Sequence, residues 1–393
     1  MKNKKRIIIL SILILLVVGV LLFLSLICFH LSSDSLDLRL EHFVSKLVEK
    51  DESIRNCVLA INYNNSYFWA GASGIAVQES QTSMTKDTPF YISSITKLYT
   101  ATAVMKLYEQ NELSLDDPIS NYISMSLIQG IGIYEGKDYT YEITVRELLD
   151  QTSGIADYYV EEVDGKNMFD LFIENPNKKW TVDGMIQRTR ENLSSHFPPG
   201  TRVFYSDTNY QLLGRIIENV TQKNLSEVFD DFFFRPFSLN NTWLVGYESM
   251  PVIPADIFYK DRVITQIRSN GAYWADGGIV STAEDMILFL KMLNEGKIIS
   301  KENLERMHNW NKMEFPIQYG YGTMYFELPW PIDKLSGLTH LWGHSGSTGS
   351  FLYYSEDFNL YIAGSINYVG ADSKPFFTLI RDVISLFNNK CND

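Results

Sequence analysis

Three cysteines in 393 residues are too few for a disulfide framework. Cys28 lies in an apolar run near the N-terminus. Cys57 and Cys391 either pair outside a cell or stay as free thiols, and the sparse count favours free thiols. Basic residues are also short, with 34 Lys and Arg against 47 Asp and Glu and a formal net charge of −13. No basic run interrupts this, which argues against nucleic acid or anionic lipid as partners. Histidines number six. His340 and His344 are four apart, but the Leu341-Trp342-Gly343 between them does not read as a helix presenting both to one metal ion. Internal repeats and low-complexity linkers are absent. Charged residues make up 21% and apolar ones 45%, a globular balance rather than a disordered one.

Charge is missing altogether from residues 7–29, IIILSILILLVVGVLLFLSLICF. A bilayer span needs about 20 apolar residues, and a cleavable signal has a shorter apolar core followed by small residues. The run predicts an uncleaved transmembrane anchor. Lys2, Lys4, Lys5 and Arg6 precede it, so residues 1–6 form a cytoplasmic tail and the bulk faces outward at the cell membrane. Residues 30–54 read as a linker and first helix, with Leu36, Leu40, Phe43, Leu47 and Val48 on one face of a helix over 35–50.

The remainder, 55–393, is long enough for one large domain with a sizeable core. CVLAINY and SYFWAG predict a hairpin turning at Asn64-Asn65. Helical spacing follows in TKLYTATAVMKLYEQ, ending near Asn111. The middle is rich in short helices and loops, including ITVRELLDQTSG, closed by Gly154. Ser281-Thr282-Ala283-Glu284 reads as a capping box opening a helix. HLWGHSGSTGSFLYYS and LYIAGSIN return to strands, and PFFTLIRDVISLF predicts a final helix. Strands at both ends with helices between predict an α+β domain. Its sheet subdomain comes from about 55–92 and 271–393, and its mostly helical lobe from about 93–270.

Three short motifs lie where chemistry is possible. Ser94-Ile95-Thr96-Lys97 puts a serine at a helix start, where the backbone dipole favours developing negative charge. A lysine follows one turn on, on the same face. A serine needs an adjacent base, and lysine serves when its pKa is lowered. Taken alone, S-x-x-K fits an ordinary helix start better. Tyr205-Ser206-Asp207 supplies a phenol able to shuttle a proton, or a merely buried tyrosine with an aspartate capping the next helix. His344-Ser345-Gly346 supplies a strand that a substrate can approach closely, and a histidine that can offer a proton or positive charge to a substrate carboxylate, or a structural one.

Taken in order, these motifs resemble the serine β-lactamase and penicillin-binding protein superfamily, on the branch of class C β-lactamases, DD-carboxypeptidases and related esterases. DTPFYISSITK, LSLDDPIS, FPPGTRVFYSDTNYQLLG, DGGIVSTAEDM and GHSGSTGSF extend the likeness over about 55–370. The resemblance implies an antiparallel sheet flanked by helices, a helical lobe, and a site between them. It implies Ser94 as acyl-accepting nucleophile, Lys97 and Tyr205 handling its proton, and His344 contacting substrate and supporting Tyr205. Asp207, Ser345, Gly346 and Ser347 would bind substrate, with the N–H groups of Ser94 and Ser347 forming an oxyanion hole. No cofactor and no metal is implied.

Two positions depart from the family pattern. Asp207 stands where relatives have an asparagine whose amide donates to a substrate carbonyl. An ionised aspartate cannot donate, and near Lys97 it would hold that lysine charged. A cationic substrate group, such as a free amine, is then the better fit. Gln151 stands where relatives often have histidine, with no mechanistic reading. The sequence predicts a membrane-anchored hydrolase of cell-wall peptides, D-amino-acid amides or esters, or β-lactams, leaning to carboxypeptidase or esterase work. The alternative is a protein of the same fold that binds wall peptides or penicillin without turnover.

Overall fold

The computed structural model describes residues 36–246, 252–269, 271–313, 316–326, 340–370 and 383. The expected anchor at 7–29, the expected last helix apart from Val383, and Cys391 lie outside these residues. Among the described residues no helix is long and apolar enough to cross a membrane.

A nine-stranded antiparallel sheet forms the frame. Its strands are β1 (Asn56–Tyr63), β2 (Tyr67–Val77), β3 (Thr82–Ser83), β4 (Asn311–Lys312), β5 (Ile317–Tyr319), β6 (Met324–Phe326), β7 (Leu341–Gly346), β8 (Ser350–Ser355) and β9 (Leu360–Ser365). They run in the order β4-β5-β6-β7-β8-β9-β1-β2-β3, so β1 pairs with β9 and the two ends of the chain close one sheet. Asn64 and Asn65 both take positive φ in the three-residue β1–β2 turn, which asparagine tolerates, and the Ser66 N–H donates to the Tyr63 carbonyl at 3.1 Å.

The sheet is covered on both faces, which explains why residues 57–61 of β1 are all apolar rather than alternating. Val58 and Ala60 point to a core shared with helices α2 (Thr96–Glu109), α5 (Asp207–Thr221) and α6 (Ala283–Asn294). Cys57, Leu59 and Ile61 face the opposite core, where α1 (36–50) lays down Leu36, Leu40 and Val44. Helix α2 is buried on nearly every side, its threonines and Lys97 included. Such a helix is a central element, not a surface one. Helices α3 (Val145–Leu149) and α4 (Val182–Asn192) build the lobe around α5.

Two helix ends differ from expectation. Helix α6 is capped by Thr282, whose side chain accepts the Asp285 N–H, because Ser281 is taken up as the last residue of a short strand. Helix α3 has the capping box Thr144/Glu147 and stops at Leu149, well short of Gly154. Gln151 follows with a φ of 65°, and its side chain explains why.

Candidate active site

The site begins with a strained turn. Ser93 has a φ of 50°, a left-handed conformation that costs a residue with a Cβ roughly 1–2 kcal/mol. Its buried hydroxyl lies 3.0 Å from that of Thr348, which donates to the Tyr91 carbonyl, while Ser350 Oγ donates to Ile92 O at 2.8 Å. The β7–β8 hairpin thus grips Ser93 and the two residues before it. Gly346 permits the grip: a Cβ there would stand 2.5 Å from Ile92 O and 2.9 Å from Ser93 Cβ. Ser93 is therefore the bend that presents the half-buried Ser94 at the mouth of α2.

Lys97 lies one turn further, with its side chain wholly buried. Its Nζ donates to Ser94 Oγ at 3.2 Å and to the Asp276 carbonyl at 2.8 Å, and it forms an ion pair with Asp207 Oδ1. It also lies 5.1 Å from the ring centre of Tyr205 and 5.6 Å from that of Tyr210. Burial by itself pulls the lysine down. Asp207, and behind it Asp276, more than offset this and leave its pKa above the ordinary value. Lys97 is an ammonium.

Tyr205 completes the group. Its hydroxyl is hydrogen-bonded to Ser94, and burial followed by the Asp207 charge holds its pKa well above the usual phenol value. Gln151 fixes it from both sides. The Gln151 carbonyl accepts the Phe204 N–H at 2.9 Å, and its Oε1 accepts the Ser206 N–H at 2.9 Å and Asn209 Nδ2 at 2.6 Å. Gln151 is a clamp on the start of α5, a role its left-handed backbone makes possible. Asp207 is the first residue of α5, after the cap Ser206, and is not itself the cap. Its carboxylate turns to Lys97, which leaves it a weaker anchor for a substrate amine than a free carboxylate would be.

Two further aspartates stand behind. Asp157 is buried and accepts the N–H of Tyr159 at 2.7 Å; burial, then the charge of Asp207, raise its pKa well above the carboxylate range. Asp276 accepts the Tyr158 hydroxyl at 2.6 Å and the Trp274 N–H at 3.1 Å, and the same two causes push it up to about 6. Neither follows from sequence spacing, because both sit in loops far along the chain from Ser94.

The sheet side differs from expectation. His344 has no exposed surface, and its Nδ1–H donates to the Ser345 carbonyl at 2.7 Å. Burial, then the Lys97 charge, lower its pKa to about 3, so it offers no positive charge to a substrate. Nor does it reach Tyr205 directly. Tyr319 stands between, edge-on to both rings at 5.6 and 5.9 Å, with its hydroxyl 3.4 Å from His344 Nε2. Ser345 turns away from the cleft, its Oγ 2.7 Å from the Tyr353 hydroxyl. Ser347 is exposed at the end of β7, where Arg268 Nη2 donates to its Oγ at 3.3 Å.

Arg268 escapes a reading by motif. It is 2% exposed, stacks at 4.1 Å over Tyr273, and has no hydrogen-bond partner at Nε. Among the described residues no carboxylate pairs with it. A buried cation without a counter-charge is costly and marks a place where an anion is welcome.

Residues 40–382 match the family model Beta-lactamase. The chain is 25% identical to Penicillin-binding protein 4 of Amycolatopsis lactamdurans over 309 residues, 72% of each protein. It is 27% identical over 237 residues to Protein flp of Staphylococcus aureus strain MW2, covering 56% of this chain and 43% of that one. It thus spans less than half the length of flp. Among solved structures, a D-stereospecific amidohydrolase from Streptomyces superposes with a TM-score of 0.68 at 26% identity, covering 82% of this chain and 92% of that one. With the family model spanning nearly all of the described fold, the chain belongs to the β-lactamase family of serine hydrolases.

Proposed function

We propose that this chain is a membrane-anchored, extracytoplasmic hydrolase that forms an acyl-enzyme on Ser94 with amide or ester substrates. The observation that carries the reading is the contact set at Ser94. Its Oγ is met by Lys97 Nζ at 3.2 Å and by the Tyr205 hydroxyl, on a turn that the sheet holds in a strained conformation. This is the arrangement of a nucleophilic serine with its proton-handling partners at hand. The ammonium of Lys97 favours the serine alkoxide as it forms, and the Tyr205 hydroxyl relays a proton to the leaving group. The exposed Ser347 lies on the strand that would border the substrate, and its N–H with that of Ser94 would serve the oxyanion.

Substrate choice follows from two charges. Asp207 cannot donate to a substrate carbonyl as an asparagine would, which disfavours a dedicated resistance β-lactamase. Arg268 beside Ser347 supplies the cation that His344 does not, and fits a substrate bearing a carboxylate. Cell-wall peptides and D-amino-acid derivatives ending in a carboxylate suit this pair. The similarity to a penicillin-binding protein and a D-stereospecific amidohydrolase supports the same class. The uncharged run 7–29 behind four basic residues supports the anchor and the outward placement.

Intact-mass labelling of the protein with a fluorophosphonate and a penicillin in parallel, on wild type and Ser94→Ala, tests the reading. One fluorophosphonate adduct on wild type and none on the variant is expected. A label that persists in Ser94→Ala would refute Ser94 as the nucleophile. An acyl-enzyme with penicillin that never clears would favour the non-hydrolytic binding protein.

A further inference from the structure

Lys97 has three N–H bonds and meets three acceptors. They are Asp207 Oδ1, the Asp276 carbonyl at 2.8 Å and Ser94 Oγ at 3.2 Å. A lysine acting as base must turn a lone pair toward the serine. Here the nitrogen directs a hydrogen at Ser94 and has none of its bonding positions open. The other neighbour of Ser94, Tyr205, is a neutral phenol in the resting site. Neither group that touches the nucleophile is ready to take its proton. One group in contact with Lys97 is: the Asp207 carboxylate, at the position where the family pattern has an asparagine that accepts no proton.

We propose that Asp207 is the terminal acceptor of the Ser94 proton, which reaches it through Lys97. The step rests on the acyl-enzyme reading above. A proton passes from Lys97 Nζ to Asp207 Oδ1, and the amine turns about its Cε–Nζ bond to face Ser94 with its lone pair. As Ser94 Oγ bonds to the substrate acyl carbon, its proton moves to Nζ. Lys97 is again an ammonium, Asp207 is a neutral acid, and the acyl oxygen carries the negative charge. On collapse the carbon–leaving-group bond breaks. The leaving nitrogen or oxygen takes a proton from Tyr205 or Lys97, and Asp207 restores it and ionises again. Deacylation runs the same sequence with water in place of Ser94.

The surroundings fit a carboxylate that changes charge during turnover. Among the described residues Lys97 is the cation paired with Asp207. The Asp207 charge bears on Asp157 and Asp276 and on the phenols of Tyr158, Tyr159 and Tyr205, raising the pKa of each. Arg268 is held beyond them, over Tyr273, whose hydroxyl donates to that of Tyr159 at 3.2 Å. Asp207 acts through Lys97 and touches no reacting carbon, so it is a positioning and proton-holding residue.

The test compares wild type, Asp207→Asn and Asp207→Glu. Each is assayed for the pre-steady-state acylation rate with p-nitrophenyl acetate across pH, the KM, and fluorophosphonate labelling of Ser94. The Asn variant is expected to acylate at least 100-fold more slowly with KM within a few-fold, and to lose the acid limb of the rate profile. The Glu variant is expected to recover part of the rate and keep that limb. An Asn variant that acylates as fast as wild type, or faster with its limb moved to lower pH, would overturn the proposal and make Lys97 the base once freed from its counter-charge. A change confined to KM would overturn it in favour of substrate anchoring. Absence of Ser94 labelling in wild type would sink the acyl-enzyme reading itself, whatever Asp207 does.

Discussion

The two walls of the cleft each bury one basic side chain completely, and they treat it in opposite ways. On the helical wall Lys97 is kept charged; on the sheet wall His344 is kept neutral. Burial opposes the charged form of both. The difference lies in what faces them. Lys97 meets the Asp207 carboxylate and a backbone carbonyl, with Asp276 behind. His344 meets a carbonyl at one nitrogen, the weak Tyr319 contact at the other, and the repulsion of Lys97 itself. The Lys97 charge therefore adds to burial in keeping His344 neutral.

The largest effect should come from removing that cation. Lys97→Met leaves Asp207 facing two buried carboxyl groups with no counter-charge. Loss of one partner of a buried pair costs roughly 3–5 kcal/mol, and acylation of Ser94 should fall by about 10³-fold or more. Urea unfolding and burst kinetics read the two separately. In the double variant Lys97→Met/Asp207→Leu most of the stability should return while activity stays lost. A single variant as stable as wild type would break the contrast between the walls, because it would mean that Asp207 needs no cation.

On the sheet wall the corresponding change is smaller and depends on pH. His344 has a folded pKa of about 3, against about 6.5 in an unfolded chain. The stability that rests on the neutral ring is whole above about 6.5. It falls as pH drops toward 3, because only the unfolded chain takes up the proton. Asp276 runs the other way: its folded value of about 6 stabilises at low pH and loses that contribution as pH rises through 6. Wild type alone thus shows partial cancellation. The difference between wild type and His344→Gln isolates the histidine, and the wild-type advantage should shrink by about 1.4 kcal/mol per pH unit between 6 and 4. A difference flat with pH would show that His344 titrates normally. The acid limb of activity should be unchanged in this variant, since His344 carries no charge in the working range.

The helical wall was far more legible in the sequence than the sheet wall, for a physical reason. Ser94, Lys97, Tyr205 and Asp207 sit at or beside helix starts in short motifs that the family resemblance singled out, where spacing alone left S-x-x-K an ordinary helix start. The strands and the closure of one sheet by both chain ends followed from pattern. What the sequence did not show is contact between loops. Asp157 and Asp276 are placed by tertiary folding, Gln151 by a left-handed backbone, and His344 is kept neutral by its burial and by the charge of Lys97 from another part of the chain. Ser281 read as the start of a capping box, and its use as the last residue of a strand leaves the cap to Thr282.

Arg268 gives the smallest effect on stability and the most selective one on substrate. It is buried beside Ser347, and among the described residues it has no carboxylate to offset its burial. Replacing a buried charge that lacks a partner by a neutral group of similar shape costs little. Arg268→Gln should therefore leave the urea midpoint within about 1 kcal/mol of wild type, or raise it. If a substrate carboxylate completes the pair, kcat/KM should fall by about 10–100-fold for a peptide ending in a free carboxylate. The same peptide with an amidated end should be turned over at nearly the wild-type rate. An equal loss on both peptides would place Arg268 in support of Tyr273 and Ser347, and a loss of stability without loss of selectivity would mean that its charge is offset by the aspartates of the opposite wall.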